Sequence, residues 1–253
     1  MTVAPFDFAA HARRLTSQSG EDGILAAIFD AVGETDRRAV EVACGGNGGN
    51  AGGLIIERSF SGLLVDGDAA LVERAARRFA RYPVRVMRAW VTRESIDALL
   101  AEHGITGEID YFGLDLDGND YWVWEAMTAV RPRVVVTEYN AALGPDRAVT
   151  IAYNPAHRWR KGKGPKVIYW GASLPALASL GARKGYRLIA VEPNGVNAFW
   201  LREDVAPQIP GLDPREAWQP TFVERFMARA AEIGDEEIVA YFAHHGLPLV
   251  DVS

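Results

Sequence analysis

A single cysteine, Cys44, stands in a chain of 253 residues. It can form no disulfide within the chain, which suits a reducing, cytoplasmic setting. Long apolar runs are missing as well: none reaches the ~18 residues that span a bilayer. The first fourteen residues lack the charged-then-apolar order of a secretory signal. Positive charge is not in excess, the net charge being −6. No global basic field therefore favours nucleic acid or an anionic membrane. There is no repeat, low-complexity tract or evident linker. What is present is 49% hydrophobic and 24% charged, the balance of a soluble globular protein. The expectation is one domain over residues 1–253 with a small-molecule substrate, and a homo-oligomer is left open.

After residue 20, strand-like and helix-like segments alternate, which argues for a layered α/β sheet. Residues 21–32 read as a helix, with Ile24, Leu25, Ile28 and Phe29 on one stripe. Strands are expected at 39–43, 62–65, 84–89, 109–116 and 133–138. Between them, helices are expected at 50–60, 69–82, from Thr92 as a cap onward, and at 122–130. Val134-Val135-Val136 suits a strand buried on both faces. A long irregular segment follows, and 140–168 is expected to be a substrate loop or lid. A helix at 173–185 then leads to strands at 186–191 and 196–202. Glu192-Pro193-Asn194-Gly195 joins these two, and its Asn-Gly pair signals a hairpin. Helices near 222–233 and 236–242 lie in an expected helical extension, 204–253, while 1–35 form an N-terminal helical segment. The expected fold is a Rossmann-like three-layer α/β/α sandwich. Its mostly parallel seven-stranded sheet carries a terminal antiparallel hairpin strand.

Three places carry chemistry. Val40-Glu41-Val42-Ala43-Cys44 runs into Gly45-Gly46-Asn47-Gly48-Gly49-Asn50, and a second strand ends in Asp66-Gly67-Asp68. Glycines let a backbone approach a ligand, and a carboxylate at the second strand's tip accepts from ribose hydroxyls. Asp66 is the ribose candidate, and Asp68 reads as the cap of the next helix. Cys44 reads as an inert small residue of the turn.

The second place is Asp115-Leu116-Asp117-Gly118-Asn119-Asp120, at the end of strand four. Strand alternation puts Asp115 and Asp117 on one side. Strand five ends alongside in Glu138-Tyr139-Asn140. Asp117, Glu138 and Asn140 offer hard oxygen ligands for Mg²⁺ or another divalent cation. Such an ion would lower the pKa of a substrate hydroxyl. The same acids serve equally as hydrogen-bond acceptors without metal, and Asp120 as a helix cap.

The third place is the loop with Tyr153, His157, Trp159, Tyr169 and Trp170. His157 is a candidate base, with plain polar surface as its other reading. The basic run at 158–166 is a solvated loop or a site for an anion.

With these pieces in hand, the chain resembles the FkbM-like branch of the S-adenosylmethionine (SAM)-dependent methyltransferases. The matching stretches are Ser17-Gln18-Ser19-Gly20-Glu21-Asp22-Gly23, Val40-Glu41-Val42 and Leu63-Leu64-Val65-Asp66-Gly67-Asp68. The block from Leu114 to Trp124, Val135 to Asn140, and Gly195-Val196-Asn197-Ala198-Phe199 match as well. The terminal hairpin is likewise the topology of that class, where a dinucleotide fold would keep adding parallel strands.

The resemblance implies O-methylation of a natural-product or sugar-like acceptor. Gln18, Glu41, Ala43, Gly45, Asn50, Asp66, Gly67 and Asp115 would bind SAM, and Asp117 and His157 would act in catalysis. It departs from the family at Ala43 and Asn47, where glycine is usual. A nicotinamide-dependent oxidoreductase, or a methyltransferase-like domain without catalysis, are the other readings.

Overall fold

Short runs of β-branched and aromatic residues become strands here, because each has a helix-forming segment to cover it. In chain order the strands are β1 (Arg38–Val42), β2 (Ser61–Asp66), β3 (Val84–Arg88), β4 (Gly107–Leu114) and β5 (Val130–Glu138). They continue with β6 (Val149–Ile151), β7 (Tyr186–Val191), β8 (Asn197–Arg202) and β9 (Leu249–Asp251). This is a computed structural model, and it describes residues 6–159, 165–221 and 238–253. Seven strands form one sheet in the order β3-β2-β1-β4-β5-β8-β7. The first five are parallel. β8 is antiparallel to both β5 and β7. The fold is therefore the expected Rossmann-like α/β sheet with an antiparallel hairpin strand.

Helices α1 (Glu21–Val32), α2 (Ala51–Arg58) and α3 (Ala69–Arg78) contribute to the core on one face of the sheet. Helices α4 (Ile96–Glu102), α5 (Asp120–Ala126) and α6 (Leu174–Lys184) contribute to the other. β5 shows why both faces must be apolar: Val134 and Val136 join the first core and Val135 the second. On the second face Trp124 packs 5.4 Å from Trp200 and 5.9 Å from Tyr186 between ring centroids. Truncating Trp124 would cost on the order of 3–5 kcal/mol. Among the described residues, α7 (Pro214–Ala217) and α8 (Ile238–His244) follow. No helix among the described residues is long and apolar enough to cross a membrane.

Three expectations are corrected. Thr92 does not cap a helix: its carbonyl closes a turn with the Ser95 and Ile96 N–H groups, and α4 starts at Ile96. The segment 140–168 is not all loop. It holds β6 and short helical turns at Ala141–Leu143 and Pro165–Val167. The extension 204–253 is not purely helical, because β9 pairs antiparallel with β6. The helix expected at 222–233 lies outside the described residues. Of that expected at 236–242, α8 takes up the described part.

Candidate active site

Strand order reverses between β1 and β4, and their C-terminal ends part there. Ligands of open α/β sheets bind in the crevice so formed. The crevice has a volume of about 1150 Å³, room for a cofactor and a second ligand together.

Its first half is built on β1, β2 and β3. Ala43 and Gly45 line it, and the Cys44 N–H bonds the Val65 carbonyl, continuing β1 against β2. Asp66, the last residue of β2, is 8% exposed. Its Oδ2 accepts from the Gly45 N–H (2.9 Å) and its Oδ1 from the Asp68 N–H (2.8 Å). Two of about four lone-pair positions are thus used, leaving capacity for a ligand's hydroxyls. Gly67 also lines the crevice. Asp68 caps α3, accepting from Ala70 and Leu71 N–H groups. Gln18 reaches the crevice from the loop before α1. That loop is wound around Asp22, whose carboxylate accepts from the backbone of Leu15, Thr16 and Ser17. Burial works against the Asp22 charge, yet these bonds and the Ser17 hydroxyl hold its pKa below the ordinary value. Asn47, one departure from the glycine pattern, is accounted for by its Nδ2–H bond to the Thr16 carbonyl (2.6 Å). Ala43, the other, takes a left-handed backbone at φ 63°.

Two residues expected at the cofactor do not face the crevice. Glu41 is fully buried beneath it. It accepts from the N–H groups of Asn50 (2.9 Å) and Ala51 (3.1 Å) and from the Tyr111 hydroxyl (2.9 Å). Burial pushes its carboxyl up to about 8, against those hydrogen bonds. It therefore fastens the start of α2 to the sheet. Asn50 is the residue before α2 and is likewise buried off the crevice.

The second half is built on β4 and β5. Asp115, Asp117 and Glu138 bring carboxylate oxygens within 4.8 Å of one another, and all three line the crevice. Alternation along a strand does not achieve this, since β4 ends at Leu114. The loop does so instead: Asp117 turns back in a left-handed conformation at φ 51°. Asp120, the first residue of α5, ties that loop by accepting from Leu116 (2.9 Å) and Gly118 (3.1 Å) N–H groups. Burial raises the carboxyls of Asp115 and Glu138 well above the ordinary range, and the neighbouring acids add to it. Asp117 is raised by burial and by Asp66. Glu138 is buried, Asp115 half-buried and Asp117 exposed, so ionising all three so close together is costly, and a cation would offset the repulsion. Glu138 Oε2 is buried without a hydrogen-bond partner. This donor set fits a hard divalent ion.

Asn140 is excluded from the set. Its Oδ1 caps a helical turn at the Ala142 N–H (3.0 Å), and its Nδ2 donates to the carbonyls of Ile168 and Trp170 (both 2.8 Å). Asp115 stands in its place.

His157 lines the same half. Burial lowers its pKa, so the ring is neutral near pH 7, and its Nε2 has no hydrogen-bond partner. Sequence reasoning missed Asn119 and Trp90, whereas Trp170, one of the loop aromatics it singled out, does line the crevice. Asn119 is buried with Oδ1 unpartnered while its Nδ2 holds Asn154. A usable signal existed for Trp90, which follows the C-terminal end of a parallel strand, where crevices form.

No family model and no curated protein matches the chain. Several solved structures share its general course. The methyltransferase domain of bacterial CtHen1-C is 14% identical over 72% of this chain and 96% of its own, with a TM-score of 0.44. The N-terminal domain of EvdMO1, crystallised in the presence of SAH and D-fucose, is 12% identical over 72% and 82%, with a TM-score of 0.48. A S-adenosylmethionine-dependent methyltransferase from Clostridium acetobutylicum ATCC 824 is 9% identical over 70% and 89%, with a TM-score of 0.44. So distant a likeness carries no residue roles, and the strand order establishes the fold by itself.

Proposed function

We propose that this protein transfers a methyl group from SAM to a hydroxyl oxygen of a small, natural-product or sugar-like acceptor, in the manner of the FkbM-like methyltransferases it resembles. The observation that carries the reading is the two-part crevice: a ribose-competent carboxylate, Asp66, at the tip of β2, and the Asp115/Asp117/Glu138 cluster at the tips of β4 and β5. The antiparallel β8 favours it over a nicotinamide oxidoreductase, whose sheet would continue parallel.

Asp66, Gly67, Ala43, Gly45 and Gln18 would hold the donor. When bound, SAM supplies an electrophilic methyl group on a positively charged sulfur. Asp115, Asp117 and Glu138 would hold a divalent ion, which when bound lowers the pKa of the acceptor hydroxyl and orients it. His157, neutral and with its Nε2 buried against Gly118 but unpartnered, would take the hydroxyl proton once its ring turns toward the acceptor. The donor would supply the methyl carbon to that oxygen, keep the electron pair of the broken bond on its sulfur and depart as S-adenosylhomocysteine (SAH). Trp159 and Trp170 offer flat apolar walls beside these acids, a combination suited to a ring carrying hydroxyls.

Titration calorimetry with SAM tests the donor: no heat at millimolar ligand would sink the reading. Turnover insensitive to EDTA would remove the ion and leave the rest.

A further inference from the structure

Residues 151–159 do more than deliver His157. They form a strap along the crevice that is fastened at both ends. Toward β4, Trp122 Nε1–H donates to the Ile151 carbonyl (2.9 Å) and Asn119 Nδ2–H to that of Asn154 (2.8 Å). The His157 ring lies on Gly118, where a Cβ would stand 2.4 Å from its Cδ2, and it meets the Asp117 backbone. Toward β3, Trp90 Nε1–H donates to the Pro155 carbonyl at 2.7 Å, and the Arg158 guanidinium lies over the indole at 4.2 Å. Tyr153 bonds Glu94, with Arg93 over its ring at 4.1 Å.

Trp90 has a second neighbour. Its Cε3 sits where a Cβ on Gly67 would be 2.7 Å away, directly after Asp66. The indole is also 45% exposed and lines the crevice. One side chain thus touches the edge of the donor half and holds the strap that runs to Asp117. At the far end Asp117 needs outside support, because a left-handed aspartate costs ~1 kcal/mol. The strap supplies part of that support through His157 and Asn119.

We infer that Trp90 is a positioning residue that couples occupancy of the donor half to the conformation of Asp117. A ligand against Gly67 and Trp90 restricts the indole. The indole restricts Pro155 and Arg158, and they restrict the His157–Asp117 contact. Coupling of this kind is reciprocal, so an ion or acceptor at Asp117 tightens donor binding by the same factor. The identity of the donor rests on the function proposed above; the mechanical link does not.

Amide hydrogen exchange on the full chain separates the two. Without ligand, Trp90→Leu speeds exchange in the peptide spanning 115–120 about tenfold. Trp90→Phe, which keeps a flat ring on Gly67 but offers no N–H to Pro155, has a smaller effect. With SAH, the wild type gains protection at 66–68 and also at 115–120 and 153–159. In Trp90→Leu the gain remains only at 66–68. Unchanged apo exchange at 115–120 in that variant overturns the link. So does SAH protection confined to 66–68 in the wild type. If SAH fails to bind the wild type while Trp90→Leu still loosens 115–120, the proposed function falls and the link stands. Should Trp90→Leu lose its fold, Arg158→Leu cuts the same stack from its exposed side: faster exchange at 115–120 supports the link, and unchanged exchange overturns it.

Discussion

Glu41 and Glu138 are buried glutamates on strands separated only by β4, and the protein treats them in opposite ways. Glu41 is closed on its surroundings by three hydrogen bonds. Glu138 leaves Oε2 unpaired and lies among other acids. The same contrast runs through the two halves of the crevice. In the first half Asp66 accepts from two backbone N–H groups. In the second, Asn119 Oδ1, His157 Nε2 and Glu138 Oε2 all lack partners. Each unsatisfied buried group costs ~1–3 kcal/mol. Under the function proposed above, a ligand in this half would offset that cost.

This division can be broken by experiment. Asp117→Asn should lower methyl transfer about a thousandfold while leaving the melting temperature no lower than wild type. Turnover within twofold of wild type would put the chemistry elsewhere. Glu41→Ala should do the reverse. It orphans the Asn50 and Ala51 N–H groups and the Tyr111 hydroxyl, and urea titration should show a loss of ~3 kcal/mol.

Glu41 also gives the protein a pH signature. Its folded pKa is raised, so its contribution is fully present below the ordinary value of 4.5 and is lost as pH rises through about 8. Urea midpoints from pH 4.5 to 8 should fall in the wild type and fall less steeply in Glu41→Gln, the remaining slope coming from the other raised carboxyls.

Glu138→Gln relieves repulsion with Asp115 and Asp117. It should stabilise the ligand-free protein by ~1 kcal/mol at pH 8, and a destabilised variant would show that the acids are structural. The smallest effect is expected at Ala43→Gly. Glycine accepts the φ of 63° without strain, and a gain of roughly 0.5 kcal/mol should appear in thermal melts. A loss would mean that the Ala43 methyl packs usefully in the loop.

The central sheet was legible because its signals are local. Val134-Val135-Val136 advertises two buried faces, and Asn194-Gly195 advertises a hairpin. β6 and β9 were not legible. Each has three residues, and they find one another about a hundred positions apart. Thr92 was misread because Thr and Ser95 are both good caps, and the turn between them moved the helix start to Ile96.

In the site, Asp66, Asp117 and Glu138 could be picked out as acids at strand ends. Asn140 was misread because extending β5 by alternation put it beside Glu138, whereas the chain turns and spends its amide on the 168–170 backbone. Glu41 was misread for a similar reason. Its position before the glycines is a ligand position in the resembled family, but here its side chain goes under α2. Trp90 is brought to the crevice by contacts 65 residues apart in sequence, which no motif encodes.

Cys44 gives this molecule a built-in clock. It is the only thiol in the chain, wholly buried at the bend between β1 and the glycine loop, and burial pushes its pKa up. A thiol-selective dye can react only during the moments when that bend opens. Labelling rates therefore time those openings in the unmodified chain, and a ligand that seals the bend slows the clock in proportion to the time it spends bound.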